Sequence, residues 1–370
     1  MKNTPRNARC RSRADGSSNH PFQEEPVSSC SDTGSIFLSE NHPPAVSLAQ
    51  NPCMLETVGS KGVIYVLRTT RRTFLKTGAA AAAAWGLNRS RLMADPLGLP
   101  VGLQLYSVRK LLPNDYAGTL KKLSAIGYRE VEAAGFFGHS AGDVKAAMSA
   151  AGLHCVSAHY PMAELSKDLD GTLKYATALG LSYVICSFPG VADPAKLASY
   201  PGGANKYFQN GLSVDDWKWN AGQFNQIGKK FKAEGIQFGY HNHTIEFHDL
   251  GGGSIGFDVL LKETDPTYVT LEMDCGWVSA AGKSPITYLN KYPGRFSMLH
   301  IKDLKPAVPG KEPGERTSTI LGKGTIDYKP IFAAAKKAGI KHYFVEQEEF
   351  DGDIMQELTQ DYQYLHGMQV

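Results

Sequence analysis

Histidines, carboxylates and one lysine occur in closely spaced pairs through the second half of the chain. The pairs are His241 and His243, Glu272 and Asp274, His300 and Lys302, and Glu346 and Glu348. Side chains two apart in an extended strand point to the same side, so each pair should present its polar groups in one direction. Imidazoles and carboxylates together suit Mn²⁺, Zn²⁺, Co²⁺ or Fe²⁺. Burying so many carboxylates without a cation would be costly, and we therefore expect a divalent metal as the cofactor.

Any one of these side chains alone has a plainer explanation. A single His or Glu at a strand end is more often a hydrogen-bonded structural residue than a ligand. Here four successive apolar segments end in such residues, and two earlier segments end in Glu132 and His159. The repetition favours one shared polar site over independent structural roles.

Short apolar runs alternate with helical patterns from residue 95 onward and would carry these side chains. Eight runs are predicted as strands: Val101–Tyr106, Glu130–Ala134, Cys155–His159, Tyr183–Ser187, Gln237–His241, Val269–Asp274, Ser297–His300 and Tyr343–Glu346. A strand followed by a helix, repeated eight times, is the pattern of a (β/α)8 TIM barrel, an α/β fold. The carboxyl ends of the strands in such a barrel converge on one cavity, and the polar pairs fall at those ends.

Glycines mark the predicted helix boundaries. Four predicted helices are each followed at once by a glycine: Asp115–Ile126, Gly142–Ala151, Leu169–Leu179 and Tyr328–Ala338. A glycine there suits the left-handed residue that ends a helix. A fifth helix starts at Ser213 with a capping-box-like sequence, and Ser199–Leu212 before it is predicted as a long loop. The main alternative fold, a doubly wound open sheet, lacks support because no glycine-rich dinucleotide turn follows the first strand.

Six segments, taken in order, carry a resemblance to a known family. They are Gly102–Arg109, Gly239–Phe247, Leu271–Trp277, His300–Asp303, Gly322–Asp327 and Phe344–Glu348. From roughly Leu99 to Leu365 the chain resembles the xylose-isomerase-like TIM-barrel superfamily of sugar phosphate isomerases and epimerases, which also contains inosose dehydratase and endonuclease IV. No single segment is decisive, but their order is.

The resemblance implies a divalent metal held by Glu, Asp, His and Glu at the ends of strands five to eight. Asp274, His300 and Glu346 match the last three positions. His241 occupies the strand-five position, where the epimerases usually have Glu, and His243 or Glu246 is the alternative there. The predicted metal ligands are therefore His241, Asp274, His300 and Glu346.

The resemblance also implies sugar chemistry that begins with proton removal next to a carbonyl and passes through an enediolate. Glu346 is the first candidate base, with His243 and Glu272 next. Lys302 would neutralise developing oxyanion charge, or else form a salt bridge with Asp303 or Glu272.

Three further residues are predicted to contact a carbohydrate substrate. Glu132 and His159 would form hydrogen bonds with its hydroxyls, and Trp277 would stack on a sugar face or belong to the core. A metal-dependent sugar isomerase or epimerase is the leading expectation. A lyase or dehydratase acting on a keto-sugar or inosose is the alternative, favoured by the missing strand-five Glu. A non-catalytic sugar-binding protein is less favoured.

The N-terminal segment resembles a twin-arginine (Tat) export signal. Arg71 and Arg72 are followed by Phe74 and Leu75, and then by a run of six alanines that ends at Ala84. A small residue, Ala94, stands where such a signal is cut. The alternative interpretation of this segment is an amphipathic or membrane-anchoring helix. We expect export to the periplasm by the Tat machinery, with no stable membrane insertion after processing.

The chain is accordingly divided into three parts. Residues 1–53 are predicted to be a disordered or wrongly assigned leader before a true start at Met54; 54–94 form the signal segment, and 95–370 the barrel. Residues 1–94 hold 12 basic and 6 acidic side chains, against 39 and 36 in the whole chain, so 95–370 carry a net charge of −3. That sign gives no electrostatic basis for nucleic-acid binding. The barrel is expected to act on a small carbohydrate, as a monomer or a homo-oligomer.

Overall fold

The computed structural model describes residues 95–370 and two short strands, Glu56–Val58 and Ile64–Val66, which pair in antiparallel fashion. By their contacts the residues divide into two units, Met1–Phe74 and Leu75–Val370. The predicted leader and the twin-arginine motif lie outside the described residues. No helix in the described part of the chain is both long and apolar enough to cross a membrane.

Eight parallel strands form a closed barrel, as the sequence predicts. They are β1 (Gly102–Gln104), β2 (Glu130–Ala133), β3 (His154–Tyr160), β4 (Tyr183–Cys186), β5 (Gln237–His241), β6 (Val269–Asp274), β7 (Phe296–Ile301) and β8 (His342–Val345). Each strand pairs with the next along the chain, and β8 pairs with both β7 and β1. The sheet therefore has no free edge.

Helices follow the strands around the outside of the barrel. They are α1 (Tyr116–Ile126), α2 (Ala141–Ala151), α3 (Met162–Lys167), α4 (Leu169–Leu179), α5 (Ala195–Ser199), α6 (Gly203–Asn210), α7 (Val214–Ala233), α8 (Gly256–Glu263), α9 (Cys275–Ala280), α10 (Pro285–Lys291), α11 (Tyr328–Ala338) and α12 (Ile354–His366). Capping residues expected from the sequence are found at the ends of two of these helices. The Ser213 side chain accepts a hydrogen bond from the Asp216 amide to start α7, and Gly152 ends α2 in the left-handed region.

The predicted loop over Ser199–Leu212 is wrong. The segment contains α6, which begins at Gly203 directly after Gly202, and both glycines have positive φ. The sequence Pro-Gly-Gly suggests a loop, but tertiary contact decides the outcome. Tyr207 of α6 is buried, and its hydroxyl donates to Asp216 Oδ2 at 2.8 Å. This short helix lies between β4 and α7 and forms part of the rim at the carboxyl end of the barrel.

The interior of the barrel has two layers of different character. Its lower layer is apolar and consists of Val156, Tyr183, Ile185, Met298 and Phe344. Gly102 makes room for it, because a Cβ there would lie 2.4 Å from Phe344 Cδ1. The layer above, toward the carboxyl ends, is made of histidines and carboxylates. Side-chain packing thus closes the barrel from below, and the polar layer is reached only from the top.

Candidate metal centre

Four side chains from four successive strand ends meet at the carboxyl end of the barrel. His241 ends β5, Asp274 ends β6, His300 lies in β7, and Glu346 follows β8. Each offers one ligand atom, and these four atoms lie within 4.8 Å of one another. We call this set the metal cluster. It contains the four residues predicted as ligands, although their role in binding a metal remains a prediction.

The distances within the metal cluster identify the ligand atoms. His300 Nδ1 lies 2.9 Å from Glu346 Oε2 and 3.9 Å from Asp274 Oδ2, and His241 Nε2 lies 4.0 Å from that same Asp274 oxygen. Asp274 Oδ1 accepts the Trp277 amide at 2.8 Å, whereas the buried Oδ2 is bonded to no backbone amide and lies 3.1 Å from the Lys302 ammonium. Two carboxylates at one buried point would repel each other, and a cation between them would relieve that cost. Two nitrogens and two oxygens so placed fit a divalent transition metal.

Two carboxylates lie below the metal cluster and hold its histidines. Glu272 Oε2 lies 3.0 Å from His241 Nδ1, and Glu132 Oε1 lies 2.8 Å from His300 Nε2. Each histidine therefore places one ring nitrogen against a carboxylate and turns the other toward Asp274. Such carboxylate–histidine pairs fix the tautomer and ring orientation of a metal-bound imidazole. Glu132 is itself held by Gln104 Nε2 at 2.7 Å and Ser157 Oγ at 2.5 Å.

This arrangement changes the expectation for Glu272 and Glu132. Glu272 is a candidate base and Glu132 a candidate substrate contact by sequence, but both are fully buried beneath the cluster. Burial alone would raise the pKa of each, yet the neighbouring histidines outweigh it. The pKa of Glu272 falls to about 2, and that of Glu132 is held well below its usual range by His159 and His300. Their geometry is that of positioning residues.

A second group of possible ligands overlaps the first. His159, Glu272, His241 and His300 also bring ligand atoms within 4.8 Å of one another. In this deeper group Glu272 Oε2 already accepts hydrogen bonds from His159, at 2.8 Å, and His241. The upper cluster offers two carboxylates, Asp274 and Glu346, against one in the deeper group, and two negative charges suit a divalent cation better. It is therefore the better candidate for the metal.

Lys302 lies among the acidic groups of the site. Its Nζ is 3.1 Å from Asp274 Oδ2 and 3.0 Å from Glu346 Oε2, and it also contacts Glu348. The predicted pairing with Asp303 or Glu272 is not what the structure shows. Burial would lower the pKa of Lys302, but these carboxylates raise it well above its usual value, so the side chain stays charged. Its ammonium also lies 4.4 Å from the Trp277 ring centroid.

A cavity of about 330 Å³ opens above the cluster, and we call it the mouth cavity. Its walls include Tyr106, His159, Phe188, His243, Glu346 and Glu348. His243 Nδ1 has no hydrogen-bond partner in the described part of the chain. Burial and the nearby Lys302 lower the pKa of His243 to about 3, which keeps the ring neutral. His159 differs, because Glu132 and Glu272 overcome its burial and raise its pKa to about 9.

Two other predicted residues have positions that limit their roles. Trp277 is buried, and it borders a neighbouring cavity rather than the mouth cavity. Glu246, the alternative strand-five ligand, faces away from the cluster. Its Oε1 accepts the Tyr240 hydroxyl at 2.5 Å and its Oε2 accepts the His243 amide at 2.9 Å, so it anchors the loop that carries His243.

Sequence reasoning assigns no role to Glu348, Gln104 or Ser157. Glu348 lines the mouth cavity and contacts Lys302. Burial raises its pKa, and the negative charge of Glu346 adds to the effect, while Lys302 opposes it. Glu348 lies two residues after Glu346, and this spacing could have identified it as a site residue because such side chains point to the same side. Gln104 and Ser157 carry no comparable signal, because they matter only through contact with the buried Glu132.

A closed parallel barrel with a mixed nitrogen and oxygen cluster at its carboxyl end defines a class of TIM-barrel proteins. Residues 120–369 match the family model described as "Xylose isomerase-like TIM barrel". The chain therefore belongs to the xylose isomerase-like TIM-barrel family.

Proteins similar to this chain include an inosose dehydratase and a sugar phosphate isomerase/epimerase. The chain is 24% identical over 268 residues to an inosose dehydratase of Clostridium beijerinckii, which covers 67% of this chain and 83% of that protein. It is 25% identical to the solved structure of a sugar phosphate isomerase/epimerase from Parabacteroides distasonis, with a TM-score of 0.59 over 72% of this chain and 94% of that one. A structure described as IOLI protein with a bound zinc atom shares the fold at 12% identity, with a TM-score of 0.55 over 72% of this chain and 96% of that one.

Proposed function

We propose that this protein is a divalent-metal-dependent enzyme that removes a proton from the carbon next to the carbonyl of a keto-sugar or keto-cyclitol. The observation that carries the proposal is the metal cluster below the mouth cavity, in which two imidazoles and two carboxylates bring their ligand atoms within 4.8 Å of one another. A non-catalytic sugar-binding site has no need of two buried carboxylates and two imidazoles that converge on one point. Family membership supports the same class of chemistry.

His241, Asp274, His300 and Glu346 would hold the metal. A divalent ion bound there supplies Lewis acidity, which makes the hydrogen next to a coordinated carbonyl more acidic. The nitrogen and oxygen donors suit Mn²⁺, Zn²⁺, Co²⁺ or Fe²⁺, and we propose that the metal is one of these four ions.

We assign proton removal to His243. Its ring lines the mouth cavity, and one of its nitrogens has no partner among the described residues. Glu346, the first candidate base from sequence, is already bound to His300 Nδ1 at 2.9 Å and Lys302 Nζ at 3.0 Å. Those contacts suit a ligand better than a base. Lys302 remains placed to balance the negative charge that develops on the substrate oxygen.

The step after proton removal defines the type of enzyme, and we propose elimination. In elimination the electron pair of the broken C–H bond forms a C=C bond, the C–O bond at the next carbon breaks, and the departing hydroxide takes a proton and leaves as water. The inosose dehydratase relative supports this course. His241 at strand five supports it too, since epimerisation through two facing carboxylates lacks one of them.

Isomerisation or epimerisation is the second candidate, favoured by the similarity to the Parabacteroides protein. A phosphorylated substrate is disfavoured by one observation. The amides of Gly322 and Gly324, which could bind a phosphate, both donate to Asp303 Oδ2 at 3.0 Å. The glycine-rich loop is thus folded around a carboxylate of the protein.

The test is incubation of the full chain, loaded with Mn²⁺ or Zn²⁺, with inosose and keto-sugars in D₂O. Loss of water from the substrate supports elimination, whereas deuterium uptake with retained carbon–oxygen bonds supports isomerisation or epimerisation. The proposal fails if the loaded protein catalyses neither. His243→Gln should reduce either reaction by about 100-fold or more, the usual contribution of a general base, and should leave metal content unchanged.

A further inference from the structure

We propose that a second cavity beside the mouth cavity binds a second, uncharged sugar ring, so that the substrate is a keto-sugar joined to another sugar and not a free monosaccharide. The inference rests on the proposed function, since it assumes that one ring reacts at the metal cluster. We call this second space the side cavity. It measures about 520 Å³, and its walls include Phe188, Phe208, His243, Trp277, Glu312 and Glu315.

The mouth cavity and the side cavity are neighbours that share wall residues. Phe188 and His243 border both of them, so a molecule held at the metal cluster can extend past these two residues. The mouth cavity, about 330 Å³, lies at the small end of the range found for ligand sites. The side cavity is larger, and a monosaccharide bound at the cluster would leave it empty.

An unpartnered polar atom points to a ligand with hydroxyl groups. Trp277 is 8% exposed and lines the side cavity, and its indole Nε1 has no hydrogen-bond partner in the described residues. Buried donors are normally paired within the protein, with water or with a ligand. A hydroxyl of a second ring would accept from this N–H, while His243 serves the ring that reacts.

Aromatic side chains add a surface for such a ring. Phe188 and Phe208 lie edge to face, with their ring centroids 4.9 Å apart, at the wall between α6 and the mouth cavity. Sugar rings present apolar C–H faces that pack on aromatic rings. Phe208 belongs to α6, the helix that the sequence analysis missed, and the side cavity therefore depends on that element.

The charges of the side cavity exclude an anionic second group. Glu312, Glu315 and Lys206 are among its lining residues, so the carboxylates there outnumber the lysines. A phosphate there would be repelled, since like charges at close range are unfavourable. The ligand is therefore neutral and hydroxyl-bearing, as a second pyranose is.

Sugar binding to the full chain in the presence of Mn²⁺ tests the inference, measured by calorimetry and by saturation-transfer NMR. The probes are glucose, glucose 6-phosphate and three disaccharides, namely cellobiose, maltose and trehalose. The best disaccharide is expected to bind about 10-fold more tightly than glucose, the gain from roughly one hydrogen bond and one aromatic contact. Glucose 6-phosphate should gain nothing over glucose.

Two variants test which residues cause the tighter binding of a disaccharide. Phe208→Ala should remove most of the disaccharide advantage, and Trp277→Phe, which keeps a ring but loses the indole N–H, should reduce it about 3- to 5-fold. Tyr292→Ala, at the opposite end of the barrel, is the matched aromatic control and should alter neither affinity. Circular dichroism and the melting temperature verify that each variant is folded.

The inference is overturned by equal affinity for glucose and every disaccharide, by an advantage that survives both variants, or by tighter binding of glucose 6-phosphate than of any disaccharide. Binding of none of the sugars also overturns it. Deuterium exchange into keto-sugars by the same preparation then decides whether the proposed function fails with it. Exchange without a disaccharide advantage removes only the side-cavity assignment.

Discussion

Asp303 and Asp274 are buried carboxylates at neighbouring strand ends, but they are satisfied in opposite ways. Asp303 follows β7 and accepts hydrogen bonds on both oxygens. Oδ1 accepts from the amides of Leu304, Thr325 and Ile326 at 2.8–3.1 Å, and Oδ2 from those of Gly322 and Gly324 at 3.0 Å. The chain after the strand is folded around this one side chain.

Asp274 accepts one backbone amide, that of Trp277, and its second oxygen has none. Burial raises the pKa of Asp274, and the negative charge of Glu346 adds to that effect against the opposing charges of Lys302 and His300. The contrast separates two uses of a buried carboxylate. Asp303 completes its hydrogen bonds with backbone amides, whereas Asp274 directs one oxygen away from the backbone, toward Lys302 and the other residues of the metal cluster.

Replacing each aspartate by alanine should give the largest effects. Asp303→Ala removes the acceptor that holds five backbone amides, of which that of Leu304 is in a buried residue, and should reduce the free energy of unfolding by about 2–3 kcal/mol. Asp274→Ala removes one helix-capping bond and one of the three carboxylates around Lys302, a loss of about 1–2 kcal/mol in the metal-free protein, but should weaken Mn²⁺ or Zn²⁺ binding more than 100-fold, beyond the usual effect of losing an outer partner.

Urea unfolding of metal-free protein and calorimetric metal titration measure the two effects. A stable Asp303→Ala variant, or an Asp274→Ala variant that binds metal normally, would contradict the division between a structural and a ligand carboxylate.

Much of the barrel is predictable from sequence because its signals are local. The strand ends at His241 and Asp274 are predicted to the residue, and Gly152 ends α2 as expected, since a left-handed terminal residue favours glycine. Convergence of the polar strand ends follows from the barrel itself. The resemblance to the family supplies the choice of Asp274, His300 and Glu346 among many acidic residues.

The remainder depends on contacts between distant parts of the chain. Sequence cannot show that Glu272 and Glu132 lie below the cluster instead of facing the substrate, because inward-pointing residues occupy several depths in a barrel. The same holds for the Asp303 loop, where a glycine-rich segment that resembles a weak phosphate site is shaped by a carboxylate about 20 residues earlier. Helix α6 was missed because its stability comes from burial of Tyr207 and not from local propensity.

Asp361 is a third buried carboxylate, and its hydrogen bonding can be compared with that of Asp303 and Asp274. It accepts the Leu321 amide at 2.7 Å on Oδ1, and Oδ2 is buried and unpartnered, but no cluster of histidines surrounds it in the described residues. Burial raises its pKa from 3.8 to about 7, and nearby Glu357 and Asp303 add to the rise. The folded protein therefore holds a proton that the unfolded chain loses above about pH 4, and stability falls as the pH rises from 4 to 7.

Asp361→Asn should remove that dependence. The amide keeps an acceptor for Leu321 and carries no charge, so at pH 8 the variant should be more stable than the wild type by about 2–4 kcal/mol, the upper limit being that pKa difference converted to free energy. At pH 4 the two proteins should unfold at nearly the same temperature. Thermal unfolding across this pH range is the measurement, and an equal gain at both pH values would refute the assignment.

Glu272→Gln tests whether a carboxylate that binds two histidines, and lies below the metal cluster, can serve the metal indirectly. Glu272 Oε2 accepts hydrogen bonds from His241 and His159, and an amide in its place can present an N–H where His241 needs an acceptor. Metal affinity should fall about 10- to 100-fold, the usual effect of losing such a partner. Glu130→Gln is the matched control, because Glu130 also holds a histidine, His342, at 2.8 Å, but at the amino end of the barrel. The control should bind metal as the wild type does. If both variants behave alike, Glu272 contributes to folding only, and the orientation of His241 has another cause.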